Sequence, residues 1–317
     1  MIYHVTCYGA DNAGDIAIID AVRRLLLTID EDIRPVVDHS RQPKFDAPVF
    51  VGGGGLLISD SYLNSTSDWR WNISTGELMA IQQPIIVFAI GNNRFRRQVD
   101  FSQRFKAHLR LLADKSVFFG IRERSSIEGL RSYIGDFVDK VVWQPCPASL
   151  MGKWYGDSDG GDYTVFTPAM DRANLRGPID RILPVLRNIP NLKVAIHMNY
   201  DKRFLKYIDF DCEVVMLSNK PTEEIVNFYK GAKQVIGMRL HSCLIPFGLG
   251  VSVIPLISHD KLVNWLIDIG HPEWGVELLQ AEDVAEHIDV NQTDLAMRDK
   301  MYRITMKNID EIKKVLA

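Results

Sequence analysis

The sequence predicts an α/β protein made of two parallel-sheet domains that face each other across a cleft. Short β-branched runs alternate with longer amphipathic segments along the chain, the pattern of strands joined by crossover helices. A small, acidic, glycine-rich stretch, Gly156-Asp-Ser-Asp-Gly-Gly161, interrupts the alternation once, and it then restarts. Glycine-bearing junctions follow several of the strands, at the carboxyl edge where a parallel sheet meets its ligands.

Before the break, strands are expected at Tyr3–Thr6, Arg34–Val37, Val49–Val51, Ile85–Ala89, Val117–Phe119 and Val141–Trp143. Each is a β-branched or aromatic run too short for a helix. Helices are expected over Asp15–Leu27, Phe101–Ala113 and Ser125–Ile134. The break reads as a linker or loop. Beyond it, strands at Tyr163–Phe166, Lys193–Ile196, Glu213–Met216, Gln234–Ile236 and Val251–Pro255 alternate with helices such as Pro178–Arg187 and Thr222–Lys230. Asp294–Ala317 forms a long helix candidate with a rough apolar stripe of Met301, Ile304, Ile309, Ile312 and Val315. The expected division is an N-terminal α/β domain over residues 1–155, a C-terminal α/β domain over 162–290 and a C-terminal helix over 291–317.

A chain of 317 residues, 46% hydrophobic and 24% charged, is long enough for two cores of ordinary soluble character. Its formal net charge of -3 argues against a general nucleic-acid binder. The start, Met-Ile-Tyr-His-Val-Thr-Cys, has neither the charged nor the long apolar region of a signal peptide, and no apolar run approaches a membrane span. Cys7, Cys146, Cys212 and Cys243 form no CxxC pair and no cluster. Reduced thiols in a cytoplasmic protein are therefore expected, rather than disulfides or a metal site. His4, His39, His108, His197, His259, His271 and His287 show no metal-ligand spacing, and no HExxH, DxD or GxSxG pattern supports zinc or serine hydrolase chemistry.

The most informative stretch is 235–250, Val-Ile-Gly-Met-Arg-Leu-His-Ser-Cys-Leu-Ile-Pro-Phe-Gly-Leu-Gly. A strand stops at Gly237, a helix-like apolar run of Leu240, Leu244, Ile245 and Gly248 begins, and Arg239 and His241 lie between. A helix opening there points N–H groups and partial positive charge at whatever docks. Arg grips carboxylate or phosphate, and His exchanges protons near neutral pH. The pairing suggests an anionic substrate and acid–base chemistry. A structural junction, with His capping the helix and Arg paired to an acid, is the alternative for the motif in isolation.

Four further loops follow strands. In Gly9-Ala-Asp-Asn12-Ala-Gly14-Asp15, small residues permit close approach of a ligand, while Asn12 and Asp15 could bind hydroxyls or simply cap the helix. It lacks the Lys-Ser/Thr ending of a P-loop. Gly52-Gly53-Gly54-Gly55 implies close passage of something past the backbone, or positive φ. It matches GxGxxG poorly, so a dinucleotide site is not expected. Arg94, Arg96 and Arg97 after the fourth strand could meet an anionic acceptor or form a solvated basic turn. Gly120-Ile-Arg122-Glu123-Arg124-Ser125-Ser126 reads as a capped helix start, or, with Arg122 facing Arg239 across a cleft, as half of an anion clamp. Tyr62, Trp69 and Trp71 offer surfaces on which sugars stack, although such aromatics are more often packed.

Taken in order, these loops resemble the polysaccharide pyruvyl transferase family. The resemblance rests on Asn12-Ala-Gly-Asp15 with its Ala-Ile helix, Gly52–Gly55 with Leu56-Leu57, Ala89-Ile-Gly91, Arg122-Glu-Arg-Ser-Ser126, and Arg239-Leu-His241 with its Pro-Phe-Gly-Leu-Gly helix. Two departures stand out: Glu123 where the family more often has Asp, and Trp143-Gln-Pro-Cys-Pro147 where relatives commonly carry Asp-Pro.

The resemblance implies a GT-B-like fold of two Rossmann-type domains, and transfer of pyruvate from phosphoenolpyruvate to a sugar as a cyclic ketal, in exopolysaccharide or cell-surface glycan synthesis. The donor's adjacent carboxylate and phosphate suit two arginines and a helix N-terminus. Catalysis is then expected from His241 and Arg239, and donor binding from Arg122, Ser126, Arg239, Leu240 and His241. Acceptor contacts are expected from Asn12, Gly14, Asp15, Gly53, Gly54 and Gly55 on the N-terminal domain. Phosphoenolpyruvate serves as co-substrate, with no cofactor and no metal. The other partner is a sugar acceptor. A lipid-linked acceptor would bring the protein to the inner face of the membrane without a transmembrane segment, and a homo-oligomer is left open. Competing readings are a GT-B glycosyltransferase using a nucleotide-sugar donor, since fold does not fix function, and a non-catalytic carbohydrate-binding subunit.

Overall fold

Among the described residues, buried β-branched runs make two six-stranded sheets. The computed structural model describes residues 1–58, 66–92, 100–170 and 176–317, the side chain of Arg176 excepted. Tyr62, Arg94, Arg96 and Arg97 lie outside the described residues. Two compact units divide the chain: Met1–Gly9, Ile18–Pro147 and Met301–Ala317 form the first, Ala10–Ala17 and Ala148–Lys300 the second.

The first unit holds strands β1 (Ile2–Thr6), β2 (Ile33–Val37), β3 (Val49–Leu57), β4 (Ile85–Asn92), β5 (Ser116–Ile121) and β6 (Val141–Trp143). They are ordered β2-β1-β3-β4-β5-β6 and every neighbouring pair is parallel. All five residues of β1 are buried, as expected of an interior strand covered on both faces. At the edge, β2 is partly exposed and tolerates Pro35, because β1 is its one neighbour. Helices α1 (Ala13–Leu26), α2 (Thr75–Ala80), α3 (Gln103–Lys115) and α4 (Arg131–Ile134) follow in chain order. A capping box of Ser74 and Glu77 starts α2.

Two expectations are corrected in this unit. The glycine run 52–55 lies inside β3 rather than in a loop after it. A Cβ at Gly52 would fall 1.7 Å from the Phe88 carbonyl oxygen, and Gly53 and Gly54 adopt φ of 77° and 132°. Close passage of β4 and positive φ therefore both demand glycine here. The distorted carbonyls are satisfied by β1: His4 Nε2 donates to Gly52 O at 3.2 Å and Thr6 Oγ1 to Gly53 O at 2.7 Å. Second, the helix expected over Ser125–Ile134 is broken into 3-10 turns at Arg124–Ser126 and Glu128–Leu130 before α4. Of the two readings of Trp69 and Trp71, the packed one holds: both are fully buried, their indole N–H groups donating to His108 Nδ1 (3.0 Å) and Gln42 Oε1 (2.9 Å), so neither offers a face to a sugar.

The second unit holds β7 (Tyr163–Thr167), β8 (Leu192–Ile196), β9 (Glu213–Met216), β10 (Ala232–Gly237), β11 (Ser252–Ile257) and β12 (Val276–Glu277). Its order, β9-β8-β7-β10-β11-β12, reverses direction between β7 and β10, and all pairs are parallel. That is the Rossmann order, with its ligand crevice at the reversal. Helices α5 (Gly152–Tyr155), α6 (Arg176–Arg187), α7 (Thr222–Lys230), α8 (Leu240–Gly248), α9 (Asp260–Ile269) and α10 (Val284–His287) accompany it. The stretch expected as a linker or loop is a loop within this unit: Asp157 pairs with Arg298, and Ser158 donates to Leu249 O and Lys230 O.

The last helix, α11 (Leu295–Leu316), has its residues from Met301 onward in the first unit. Met301, Ile309 and Ile312 are buried, whereas Val315 is exposed and ends the stripe early. Gln144, the first residue of the departure noted at Gln144-Pro145, is fully buried against this helix. Its amide donates to Thr305 Oγ1 (3.1 Å) and accepts from Asn308 Nδ2 (2.9 Å), a two-way exchange an ionised carboxylate could not make. None of the four cysteines forms a disulfide. Among the described residues no helix is long and apolar enough to cross a membrane, and no His, Cys, Asp and Glu cluster could hold a metal.

Two buried histidines tie the first unit's stability to pH. His108 donates from Nε2 to Ile73 O and accepts at Nδ1 from Trp69, and His4 donates to Gly52 O and accepts from Tyr8, so both must stay neutral. Burial lowers each to about 4. Below the unfolded value near 6.5 the unfolded chain takes up protons that the folded unit refuses, so stability falls with pH by about 1.4 kcal/mol per unit for each histidine until it levels near pH 4. Urea unfolding followed by tryptophan fluorescence at pH 7 and pH 5 is expected to show that loss, with His108→Gln shallower than the parent. Equal stability at the two pH values would contradict the assignment.

Candidate functional site

The junction after β10 is built by close packing. Met238 N donates to Thr167 O at the end of β7 (3.0 Å), which holds the turn at the reversal point of the sheet. Arg239 occupies the N-cap position of α8 with extended backbone (φ -101°, ψ 141°), and Ser242 Oγ donates back to its carbonyl at 2.7 Å. Leu240 and His241 form the first turn, whose N–H groups and dipole point away from the helix end. Every residue of α8 is buried, so this turn cannot shift without moving the core.

Arg239 is gripped by Asp201, a residue with no signal in the sequence. Its Nε and Nη2 donate to the two carboxylate oxygens at 2.8 and 2.6 Å. Asp201 is fully buried and also accepts from Met170 N (3.0 Å) and Met198 N (3.3 Å). Beside it, His197 is fully buried and shares a 2.6 Å hydrogen bond between Nε2 and the Tyr229 hydroxyl. Burial, then the positive charge of Arg239, lowers His197 to about 3, so it is neutral at physiological pH. Burial raises the Tyr229 hydroxyl and the Cys243 thiol, so neither ionises there.

Residues 10–17 belong with this unit, although the strand before them belongs to the first. Ala13 N donates to His197 O (3.0 Å), Asn219 N donates to Asp11 O (3.1 Å), and the Asn199 backbone and side-chain amides donate to Asp11 Oδ2. Asn12 Oδ1 accepts from Gly14 N at 3.0 Å. The segment thus reaches His241, whose Nδ1 lies 3.9 Å from Asp15 Oδ1. A Cβ on Gly14 would lie 2.4 Å from His241 Nδ1. Asn12, Gly14 and Asp15, expected on the acceptor side of the N-terminal domain, are therefore grouped with Arg239, Leu240 and His241.

Arg122 and Ser126 belong to the first unit, as do Gly53, Gly54 and Gly55. Arg122 is buried at the end of β5 and lies flat on Gly91, where a Cβ would fall 2.2 Å from its Nη2. Its Nε donates to Glu123 Oε1 at 2.5 Å, and Glu123 Oε2 accepts from Asn92 N at 3.2 Å. Ser126 spends its hydroxyl on Glu123 O (2.8 Å), closing a 3-10 turn. Each unit therefore contains an arginine neutralised by a buried carboxylate at the carboxyl edge of its sheet.

Removing Asp201 strands a guanidinium and two backbone N–H groups. Asp201→Ala is expected to lower the unfolding free energy of the second unit by about 3–5 kcal/mol in chemical denaturation, and a loss below about 1 kcal/mol would contradict the buried pairing.

The chain is similar over nearly its whole length to several solved structures. They include the UDP-GlcNAc 2-epimerase of Neisseria meningitidis bound to UDP-GlcNAc, with TM-score 0.59, 12% identity, and coverage of 99% of this chain and 98% of that one. The UDP-GlcNAc 2-epimerase of Methanocaldococcus jannaschii gives 0.55 at 11% identity, covering 96% and 99%. The S. aureus MnaA–UDP structure gives 0.53 at 14% identity, covering 95% and 90%. At such identities the likeness shows the fold alone, two Rossmann-type domains of GT-B-like kind. No curated protein matches the chain in sequence. The family profile described as polysaccharide pyruvyl transferase does match, over residues 12–260, from the Asn12 loop through the Arg239–His241 junction. That span is most of the chain, which therefore belongs to the polysaccharide pyruvyl transferase family.

Proposed function

We propose that the protein transfers pyruvate from phosphoenolpyruvate to a sugar as a cyclic ketal, in the synthesis of an exopolysaccharide or cell-surface glycan. The observation that supports this reading is the Arg239-Leu240-His241 junction within the family match: a held guanidinium, a helix N-terminus and an imidazole within three residues of chain. Phosphoenolpyruvate presents a carboxylate and a phosphate on adjacent positions, which suits a fixed arginine beside a helix start.

In this reading a proton adds to C3 of the donor, making a methyl group and cationic character at C2. One sugar hydroxyl adds to C2 and releases its proton. The bond from C2 to the phosphate oxygen breaks, its electron pair leaving on phosphate. A second hydroxyl then adds to C2 and releases its proton, closing the ketal. Of the two protons released, one balances that taken up at C3 and the other leaves on phosphate. His241 is the general acid–base group, while Arg239 holds the donor and stabilises departing phosphate.

Phosphate release from phosphoenolpyruvate is expected in the presence of a suitable member of a panel of terminal galactosides and N-acetylhexosamines. His241→Ala is expected to reduce turnover by about 10²–10⁴-fold. Near-parental turnover of His241→Ala would remove the histidine from the mechanism. Saturable binding of a UDP- or GDP-sugar, with none for phosphoenolpyruvate, would replace this reading with glycosyl transfer.

A further inference from the structure

We propose that Gly14 and Asp15 seat and tune His241 rather than contact the sugar acceptor, Gly14 giving the imidazole its resting surface and Asp15 its counter-charge. The proposal rests on the reading of His241 as the acid–base group. The steric half is direct. A Cβ on Gly14 would stand 2.4 Å from both Cβ and Nδ1 of His241 and 2.7 Å from Cγ, so any other residue drives the ring from its place. The clash is with the root of the side chain and not with a flexible tip, so rotation about χ1 alone cannot relieve it.

The electrostatic half follows from the same segment. Asp15 Oδ1 lies 3.9 Å from His241 Nδ1, and both side chains are largely sheltered, at 24% and 10% exposure. A carboxylate at that distance favours the imidazolium form. Its position is fixed by the bonds that pin Asp11, Asn12 and Ala13, so Asp15 opens α1 from an immobilised turn.

Other charged and titratable groups approach from each neighbouring element. Arg239 precedes the ring and is neutralised by Asp201. His197 and Tyr229 lie beyond that pair, bonded to each other, and Cys243 follows on α8. After β11, Ser258 Oγ donates to Met238 O at 2.6 Å, His259 is the N-cap residue of α9 and Asp260 its first residue. Asp15 presents a carboxylate within ion-pair distance of the ring.

The test compares Asp15→Asn and Gly14→Ala with the parent. In histidine-labelled protein, the ring signal of His241, identified by its loss in His241→Gln, is expected to titrate at lower pH in Asp15→Asn. That measurement needs no turnover, so it separates this proposal from the assignment of the reaction. With phosphoenolpyruvate and acceptor, both variants are expected to lose kcat by about tenfold or more while the acceptor KM stays within about twofold. An unchanged titration in Asp15→Asn overturns the proposal. So does an acceptor KM that rises about tenfold with kcat preserved, which would place Asp15 on the sugar. Should Gly14→Ala fail to fold, the near-isosteric Asp15→Asn carries the test alone.

Discussion

One buried carboxylate organises the carboxyl edge of the second sheet. Asp201 binds Arg239 through both oxygens and accepts the backbone N–H groups of Met170 and Met198, so the chain leaving β7, β8 and β10 converges on a single group. Its charge is what allows a guanidinium to sit beneath the surface at all, since an unpaired buried cation would cost several kcal/mol. The pairing also lowers the net charge that Arg239 can offer an anion. In the proposed reaction the N-terminus of α8 shares the attraction, through backbone dipoles fixed in a buried helix. Arg122 and Glu123 repeat the arrangement in the first unit, although nothing in strand order or sequence relates the two pairs.

Much of this architecture is legible in the sequence because parallel sheets write a simple pattern. The runs around Val49, Ile85, Val141, Tyr163 and Glu213 begin their strands at the expected residues, since strands covered on both faces must be continuously apolar and edge strands must not be. Arg239 and His241 were visible for the same reason: a strand, a glycine and a helix leave little doubt where the sheet edge lies. Local signals fail where tertiary contact decides. Asp201 sits in Asp-Lys-Arg-Phe-Leu-Lys, which reads as a solvated charged turn, yet it is the most completely enclosed carboxylate of the site. Trp69 and Trp71 admit two readings in sequence, sugar platform or packed ring, and the acceptors on His108 and Gln42 that decide for packing lie 39 and 29 residues away. The break at 156–161 has linker composition, but Arg298, far along the chain, binds it down.

Glycine carried two kinds of information that composition alone does not separate. In β3 the glycines are there for the backbone, which bends through positive φ against β4. At Gly14 and Gly91 they are there for a neighbour's side chain, an imidazole in one case and a guanidinium in the other, each lying where a methyl group would be. Which kind applies depends on a partner more than 30 residues distant in the second case and over 200 in the first. No window of local sequence contains both members.

The assignment of residues 10–17 to the second unit has a bearing on inheritance. The polypeptide passes from one unit to the other at residues 9–10, 17–18, 147–148 and 300–301. A gene divided near the middle would therefore yield two halves that are both incomplete: one lacking Met301–Ala317 against Gln144, the other lacking the eight residues that carry Asn12, Gly14 and Asp15. Domains joined by a single hinge can be exchanged by recombination, each bringing its own ligand. These two cannot be traded that way. Sequence change at Gly14 and Asp15 is bound to change at the start of α8, although some 220 residues of chain, including most of the first unit, separate them.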